Sequence, residues 1–337
     1  MARKQEGRHH MFRLLAAIIL VLGLVPAAFA LDGKLVQMKV ASKNVPGPVD
    51  VVIYTPPGYD PKRAAAYPLI IQLHGGGGSS ANMSAMAGML ESAITDGRIP
   101  ASVSVMPSAG RSFYMDYRDG SQKWETFIVA DLIGYMRSGY NVPEGREGTL
   151  ITGVSMGGMG SLRIALKHPD VFQAVASMEP GIEPALAFDD IELRDSFWRD
   201  QSLFEEIYGK PIDKAYWAAN NPATIASGSP DRLKGLGIYL EAGDQDMFFL
   251  HHGTEFMHRV LFDKGVSHEY RLVRGADHVG PSIQPRFIYA MEFFGRILTP
   301  PNWVNAQLTA GRARVDGFKK AAGYPVIPHD PERLRTR

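Results

Sequence analysis

The 337-residue sequence contains no cysteine. That excludes a disulfide framework, thiolate metal sites, iron–sulfur ligation and a cysteine nucleophile, and it leaves stability to burial alone. Net charge is lacking too: 36 Lys and Arg stand against 35 Asp and Glu, so no overall field draws the chain onto a polyanion and nucleic-acid binding is not expected. There is no internal repeat. What is present is 45% hydrophobic and 21% charged residues, the composition of a packed globular protein rather than of a disordered, collagen-like or multi-span membrane chain. The length suits one large core or two ordinary domains.

Charge is distributed unevenly. Residues 1–30 carry +3 and residues 300–337 carry +4, which leaves −6 on the body between them out of the overall +1. The N-terminal charge belongs to a recognisable pattern. A basic lead from Arg3 to Arg13 is followed by the apolar run Leu14 to Val25, then Pro26 and the small-residue site Ala28-Phe29-Ala30. This is the layout of a secretory signal peptide over residues 1–30, cleaved near Ala30, so the mature protein is expected to start near Leu31 and to be secreted or periplasmic. An uncleaved anchor over Leu14 to Leu31 is the alternative, and Met11 is an alternative start. With no cysteine to carry a lipid, no stable membrane insertion is expected after cleavage.

From Leu31 onward, short β-rich runs alternate with helical patterns, which predicts a mostly parallel sheet with helices on both faces. Eight strands are expected: Leu35–Val40, Val49–Tyr54, Leu69–Leu73, Val103–Met106, Leu150–Val154, Phe172–Met178, Leu236–Leu240 and Tyr270–Val273. Leu69–Leu73 is apolar on both faces apart from Gln72, as befits a central strand. Trp124, Phe127, Ile128, Leu132, Tyr135 and Met136 repeat at helical spacing, as do Phe287, Ile288, Met291, Phe294 and Leu298; both sets read as packing stripes. The alternation stops between about Gly181 and Lys234, an aromatic-rich stretch without a clear strand that reads as an insert within the catalytic domain, residues 31–299. After Pro300-Pro301 a basic tail, polar and punctuated by Pro and Gly, is expected to be extended or loosely packed.

Gly153-Val154-Ser155-Met156-Gly157 is a G-x-S-x-G motif. It directly follows the apolar run Thr149–Val154 and precedes the helix-like Met156–Lys167. A serine on such a sharp strand-to-helix turn has strained backbone angles, and glycines two residues either side avoid collision with the neighbouring strand and helix. The same turn sets Oγ at the positive end of the helix. His74-Gly75-Gly76-Gly77-Gly78-Ser79 follows the buried strand Leu69–Leu73 and suits an oxyanion-hole loop. No Lys-Ser/Thr follows it, which argues against a phosphate cradle. The expected donors are the N–H groups of Gly76 and Met156, with Gly77 the fallback for the first.

An acid and then a histidine should follow in chain order. The strand Leu236–Ala242 closes in Gly243-Asp244-Gln245-Asp246, and the last strand runs into Gly275-Ala276-Asp277-His278. Asp246 is the better orienter, Asp244 being suited to capping the turn, and His278 is the base. The catalytic set expected is Ser155, Asp246 and His278. His251, His252 and His258 ride the helix after Asp246, His74 is placed to fix the glycine loop, and His168 looks like an exposed helix end. His251, His252, Glu255 and His258 lack the spacing of a zinc motif, so no metal and no other cofactor is expected.

With Leu-His-Gly-Gly, Gly-Val-Ser155-Met-Gly-Gly, Gly-x-x-Asp246 and Gly-x-x-His278 in order, and Ser112 to Tyr117 followed by Trp124-Glu125-Thr126-Phe127, the sequence resembles the esterase D family of α/β-hydrolases over about Gly33 to Leu298. That family includes relatives of S-formylglutathione hydrolases, feruloyl and acetylxylan esterases and antigen 85 mycolyltransferases. The resemblance implies an α/β-hydrolase fold and a serine esterase acting through an acyl-enzyme on a small-molecule or polymer-linked ester. Four consecutive glycines depart from the bulkier residue often found at the oxyanion position. Tyr114 and Asp116 sit where ligands meet such sheets. Trp217, with Trp198, Phe204, Tyr208 and Tyr216, either walls an acyl or aryl group or packs the insert onto the body. The rivals are an acyltransferase of the antigen 85 type, a serine peptidase and a non-catalytic binding protein on the same fold.

Overall fold

A short run such as Leu69–Leu73 is stable only where helices cover both of its faces, and all five of its residues are buried. Its one polar side chain, Gln72, donates a 2.9 Å hydrogen bond from Nε2 to Ser104 Oγ on a neighbouring strand. The computed structural model describes residues 31–326, so the expected signal peptide lies outside the described residues. Among those residues, no helix is long and apolar enough to cross a membrane.

The eight expected strands are present as β1 (Lys34–Val40), β2 (Val49–Thr55), β3 (Leu69–Leu73), β4 (Val103–Pro107), β5 (Thr149–Val154), β6 (Ala174–Met178), β7 (Gly237–Gly243) and β8 (Glu269–Val273). They form one sheet in the order β1-β2-β4-β3-β5-β6-β7-β8. β1 pairs antiparallel with β2, and β2 with β4. Every pairing from β4 to β8 is parallel. This is the mostly parallel eight-stranded sheet of an α/β-hydrolase.

Among the described residues, nine helices longer than four residues complete the fold: α1 (Met83–Thr95), α2 (Trp124–Thr126 running through Phe127–Leu132 into Ile133–Gly139), α3 (Met156–Lys167), α4 (Gln201–Tyr208), α5 (Lys214–Asn220), α6 (Pro222–Gly228), α7 (Leu250–Asp263), α8 (Ile283–Leu298) and α9 (Ala306–Ala321). Because successive strand residues point to opposite faces, Ile70 joins a core with Leu90 of α1 and Phe287, Met291 and Phe294 of α8. Leu69 and Ile71 join the opposite core with Phe127 of α2, Leu162 of α3 and Met257 of α7. Both predicted helical stripes are therefore packing faces.

The stretch between β6 and β7 holds α4, α5 and α6 and, as expected, no strand. Phe204, Tyr208 and Trp217 from it are buried in the same core as α2 and α3, which makes packing onto the body their role. The tail differs from an extended chain: Asn305 caps α9 by accepting a 2.8 Å bond from the Leu308 N–H, yet none of the residues of α9 is buried.

Candidate active site

Ser155 stands between β5 and α3 with φ 60° and ψ −119°, a conformation that a non-glycine residue adopts only when its surroundings force it. The forcing contacts are on both sides. A Cβ on Gly153 would lie 2.3 Å from the carbonyl oxygen of Gly157, and one on Gly157 would lie 2.1 Å from that of Leu73. The Ser155 N–H donates to Met178 O at 3.0 Å, and its carbonyl accepts from the Gly181 N–H at 3.3 Å. The turn is thus stitched to the end of β6, and the Met156 N–H opens α3 with no intrahelical acceptor of its own.

The glycine loop follows β3 next to this turn: the Cβ position of Gly75 lies 3.4 Å from Val154 O and 3.6 Å from Ser155 Cβ. Gly76 has open space on its Cβ side, and Gly77 has φ +83°. His74 fixes the loop as its position suggested. Its Nδ1–H donates to Gly75 O at 2.8 Å and its Nε2 accepts from the Ala109 N–H at 3.0 Å, and burial lowers its pKa, so the ring stays neutral in one tautomer.

Asp246 and His278 meet. His278 Nδ1 donates to Asp246 Oδ2 at 2.7 Å, with both side chains buried. Asp246 Oδ1 accepts from the Phe248 N–H at 2.6 Å, and the Phe248 and His278 rings pack edge to face with centroids 4.8 Å apart. Burial alone would raise the Asp246 carboxyl, but the hydrogen bonds from His278 and Glu179 outweigh it and hold the group at about 2. Asp244 ties the turn, accepting from the Gly275 N–H at 2.6 Å. Asp277 Oδ1 accepts from the Met247 N–H at 2.9 Å and the His278 N–H at 2.7 Å, which joins the two loops.

Beneath this pair is a group of residues that the sequence reading passed over. Glu179, Glu241 and Arg286 are all buried. Arg286 Nε lies 2.9 Å from both oxygens of Glu241, its Nη2 reaches Glu179 Oε1, and its Nη1 donates to the carbonyl of Asp277 at 2.9 Å. Glu179 Oε1 also accepts from the Gly243 N–H at 2.7 Å. One signal was available: a glutamate inside Ile238-Tyr239-Leu240-Glu241-Ala242 and an arginine between Ile283 and Phe287 each put a charge on an apolar face, and each requires the other.

The expected substrate-binding residues are placed differently. Tyr114 is wholly buried; its hydroxyl donates to His74 O at 3.1 Å and its ring fills the space beside Gly160. Trp217 is 1% exposed, so neither ring has surface to offer a ligand. Asp116 accepts from the N–H of Thr126 at 3.0 Å and its hydroxyl at 2.6 Å, at the start of α2. His168 is half-buried rather than exposed and bonds Glu125 at 2.8 Å. His252 pairs with Asp195 and His258 with His268, so they form no common ligand set with His251 and Glu255. Among the described residues, the set whose ligand atoms come within 4.8 Å of one another is Glu179, Asp246 and His278, and each of these already has protein partners.

Residues 42–295 match the model of a protein family described as "Putative esterase". The chain belongs to this esterase family. The sequence is 37% identical over 92 residues to the diacylglycerol acyltransferase/mycolyltransferase Ag85A of Mycobacterium leprae, covering 25% of this chain and 27% of that protein. The chain spans under a third of the length of the first curated relatives it matches. Two solved structures share the fold of this esterase-family chain at low identity. A ferulic acid esterase has TM-score 0.65 and 20% identity, covering 80% of this chain and 100% of that one. An S-formylglutathione hydrolase from Agrobacterium tumefaciens has TM-score 0.63 and 18% identity, covering 80% and 97%.

Proposed function

We propose that this chain is an exported serine carboxylic-ester hydrolase that works through an acyl-enzyme on Ser155, with His278 as general base and Asp246 as its orienter. The observation that carries this reading is the strained elbow at Ser155 on the same carboxyl edge of the sheet as the buried 2.7 Å Asp246–His278 pair. A serine hydroxyl is inert at neutral pH, so His278 Nε2 takes the Oγ proton as Oγ attacks the acyl carbon, then returns it to the leaving alcohol. Asp246, ionised down to about pH 2, keeps the imidazole tautomer and stabilises the imidazolium. The N–H groups of Met156 and Gly76 meet the oxyanion, each contributing about 3 to 4 kcal/mol of transition-state stabilisation. Water repeats the sequence to release the acid.

The rings of Phe197 and Phe248 stack 6.4 Å apart beside His278, which suits an apolar or aromatic portion of a small-molecule or polymer-linked ester. Export rests on the signal-peptide pattern of residues 1–30. The second reading, acyl transfer to an alcohol other than water, draws on the likeness to Ag85A. It uses the same residues and differs only in what attacks the acyl-enzyme.

A fluorophosphonate probe and a panel of p-nitrophenyl and aryl esters test the proposal. Wild-type protein should be labelled and should hydrolyse esters, and Ser155→Ala should do neither; folded wild-type protein that resists the probe would overturn it. Added sugar or alcohol acceptors that divert most of the acyl group into transfer product would favour the second reading.

A further inference from the structure

The buried group behind the Asp246–His278 pair contains more carboxyl groups than cations. Glu241 and Arg286 face each other through two 2.9 Å contacts and satisfy one another. Arg271, across from Glu241 on β8, is exposed and acts on Glu241 only at longer range. That leaves the carboxyl groups of Glu179 and Asp246 next to each other, with His278 donating to Asp246 alone.

Glu179 reaches this place at the end of β6 in a left-handed conformation, φ 45°, which turns its fully buried side chain inward. Its two oxygens differ. Oε1 accepts from the Gly243 N–H and from Arg286. Oε2 is buried with no donor bonded to it. As part of a carboxylate, that oxygen would be dry, unpaired and set against a second negative charge. As the hydroxyl of a carboxylic acid, it becomes a donor, with Asp246 as its acceptor.

We propose that Glu179 is a positioning residue that keeps its proton at neutral pH and donates it in a hydrogen bond to Asp246, so that a neutral carboxyl group backs the triad acid. The inference rests on the triad reading above. Burial, the hydrogen bond to Asp246 and the Asp246 charge together outweigh the nearby Arg286 and push the Glu179 carboxyl up to about 10. The proton has two consequences. Asp246 gains a donor beyond Phe248 N–H and His278, which fixes the plane of its carboxylate and keeps it ionised. Without the proton, a second negative charge would lie behind the imidazole, favour the imidazolium and remove the base.

Glutamine reproduces the neutral acid, with an oxygen for Gly243 and Arg286 and an N–H for Asp246. Leucine has the volume and no donor. In pH–rate profiles on a soluble ester from about pH 5 to 11, Glu179→Leu should lower kcat about 10- to 100-fold with KM little changed, the loss of one hydrogen bond to a charged group. Glu179→Gln should recover most of that loss and should lack the alkaline fall that wild type shows as Glu179 ionises near 10. Thermal melts identify variants that do not fold. The infrared carbonyl band of a buried protonated carboxyl, present in wild type at neutral pH and absent from Glu179→Gln, reads the proton without activity. It therefore separates this inference from the esterase reading, which the fluorophosphonate probe tests. An inactive but folded Glu179→Gln, or a wild type without that band, would show that Glu179 is an ionised partner of Arg286 and overturn the proposal.

Discussion

Arg163 and Arg286 are both buried, at 0% and 1% exposure, and the surroundings of the two guanidinium groups are of opposite balance. Arg163, on α3, donates to the carbonyls of Phe113 and Tyr114 and lies 3.5 Å from Glu125. The same carboxylate accepts from Lys167 at 2.9 Å and from His168 at 2.8 Å. Cations outnumber acids, and although burial would raise it, Glu125 is held at about 2 by His168, Arg163 and Lys167. Around Arg286 acids outnumber cations, and one carboxyl group is pushed up to about 10. A dry site with spare cations holds a loop in place; a dry site with a spare acid keeps a proton, and the spare acid stands behind the Asp246–His278 pair.

The largest test of this contrast is a pair of amides. Asp246→Asn should lower kcat by about 10⁴ because the imidazole is left in the wrong tautomer, with a stability change of about 1 kcal/mol. Glu125→Gln should leave kcat of the folded protein within about 3-fold and instead cost about 3 to 5 kcal/mol in urea unfolding, since Arg163 is left buried without its carboxylate. Similar activity losses in both would break the comparison.

Arg163→Met and Arg286→Met sharpen it. Each should cost about 3 to 5 kcal/mol of unfolding free energy, yet only Arg286→Met should change kcat of the folded fraction. A parallel fall in both would mean that the two networks play the same part.

The two glutamates also give stability opposite pH slopes. Glu125 binds fewer protons folded than unfolded, so its contribution of about 3 kcal/mol is present above the ordinary value of 4.5 and is lost as pH falls toward 2. Glu179 binds more protons folded than unfolded, so its contribution is full below 4.5 and declines as pH rises toward 10, by about 1.4 kcal/mol per pH unit. Denaturant titrations of Glu125→Gln and Glu179→Gln across pH should each remove one of these slopes; loss of the same slope in both would refute the assignment. The smallest expected effect separates the two aspartates of one turn: Asp244→Ala should cost about 1 kcal/mol, for the bond to the Gly275 N–H, and leave the pH–rate profile as it was.

Much of the site was legible because its signals are local. Gly153 and Gly157 are needed by backbone contacts near 2 Å, and such contacts show in any sequence that makes the same turn. Asp246 was separable from Asp244 only by its position on the turn, and the structure bonds it to His278. Tyr114 and Trp217 were less legible, since an aromatic side chain near a sheet edge looks alike whether it faces a ligand or fills a core. Glu179 gave almost no local sign, as a glutamate before Pro180 and Gly181 reads as an ordinary turn residue.

The order of the strands, the serine turn, the glycine loop and the candidacy of Asp246 and His278 are readable in the sequence by itself, because alternation of apolar residues, glycine and turn chemistry act over a few residues. Which carboxyl group keeps its proton was decided by the tertiary structure alone. Glu179 meets Arg286 across 107 positions, Arg286 meets Glu241 across 45, and His278 meets Asp246 across 32. The protonation of a buried acid is set by the charges that folding brings beside it, not by its neighbours along the chain.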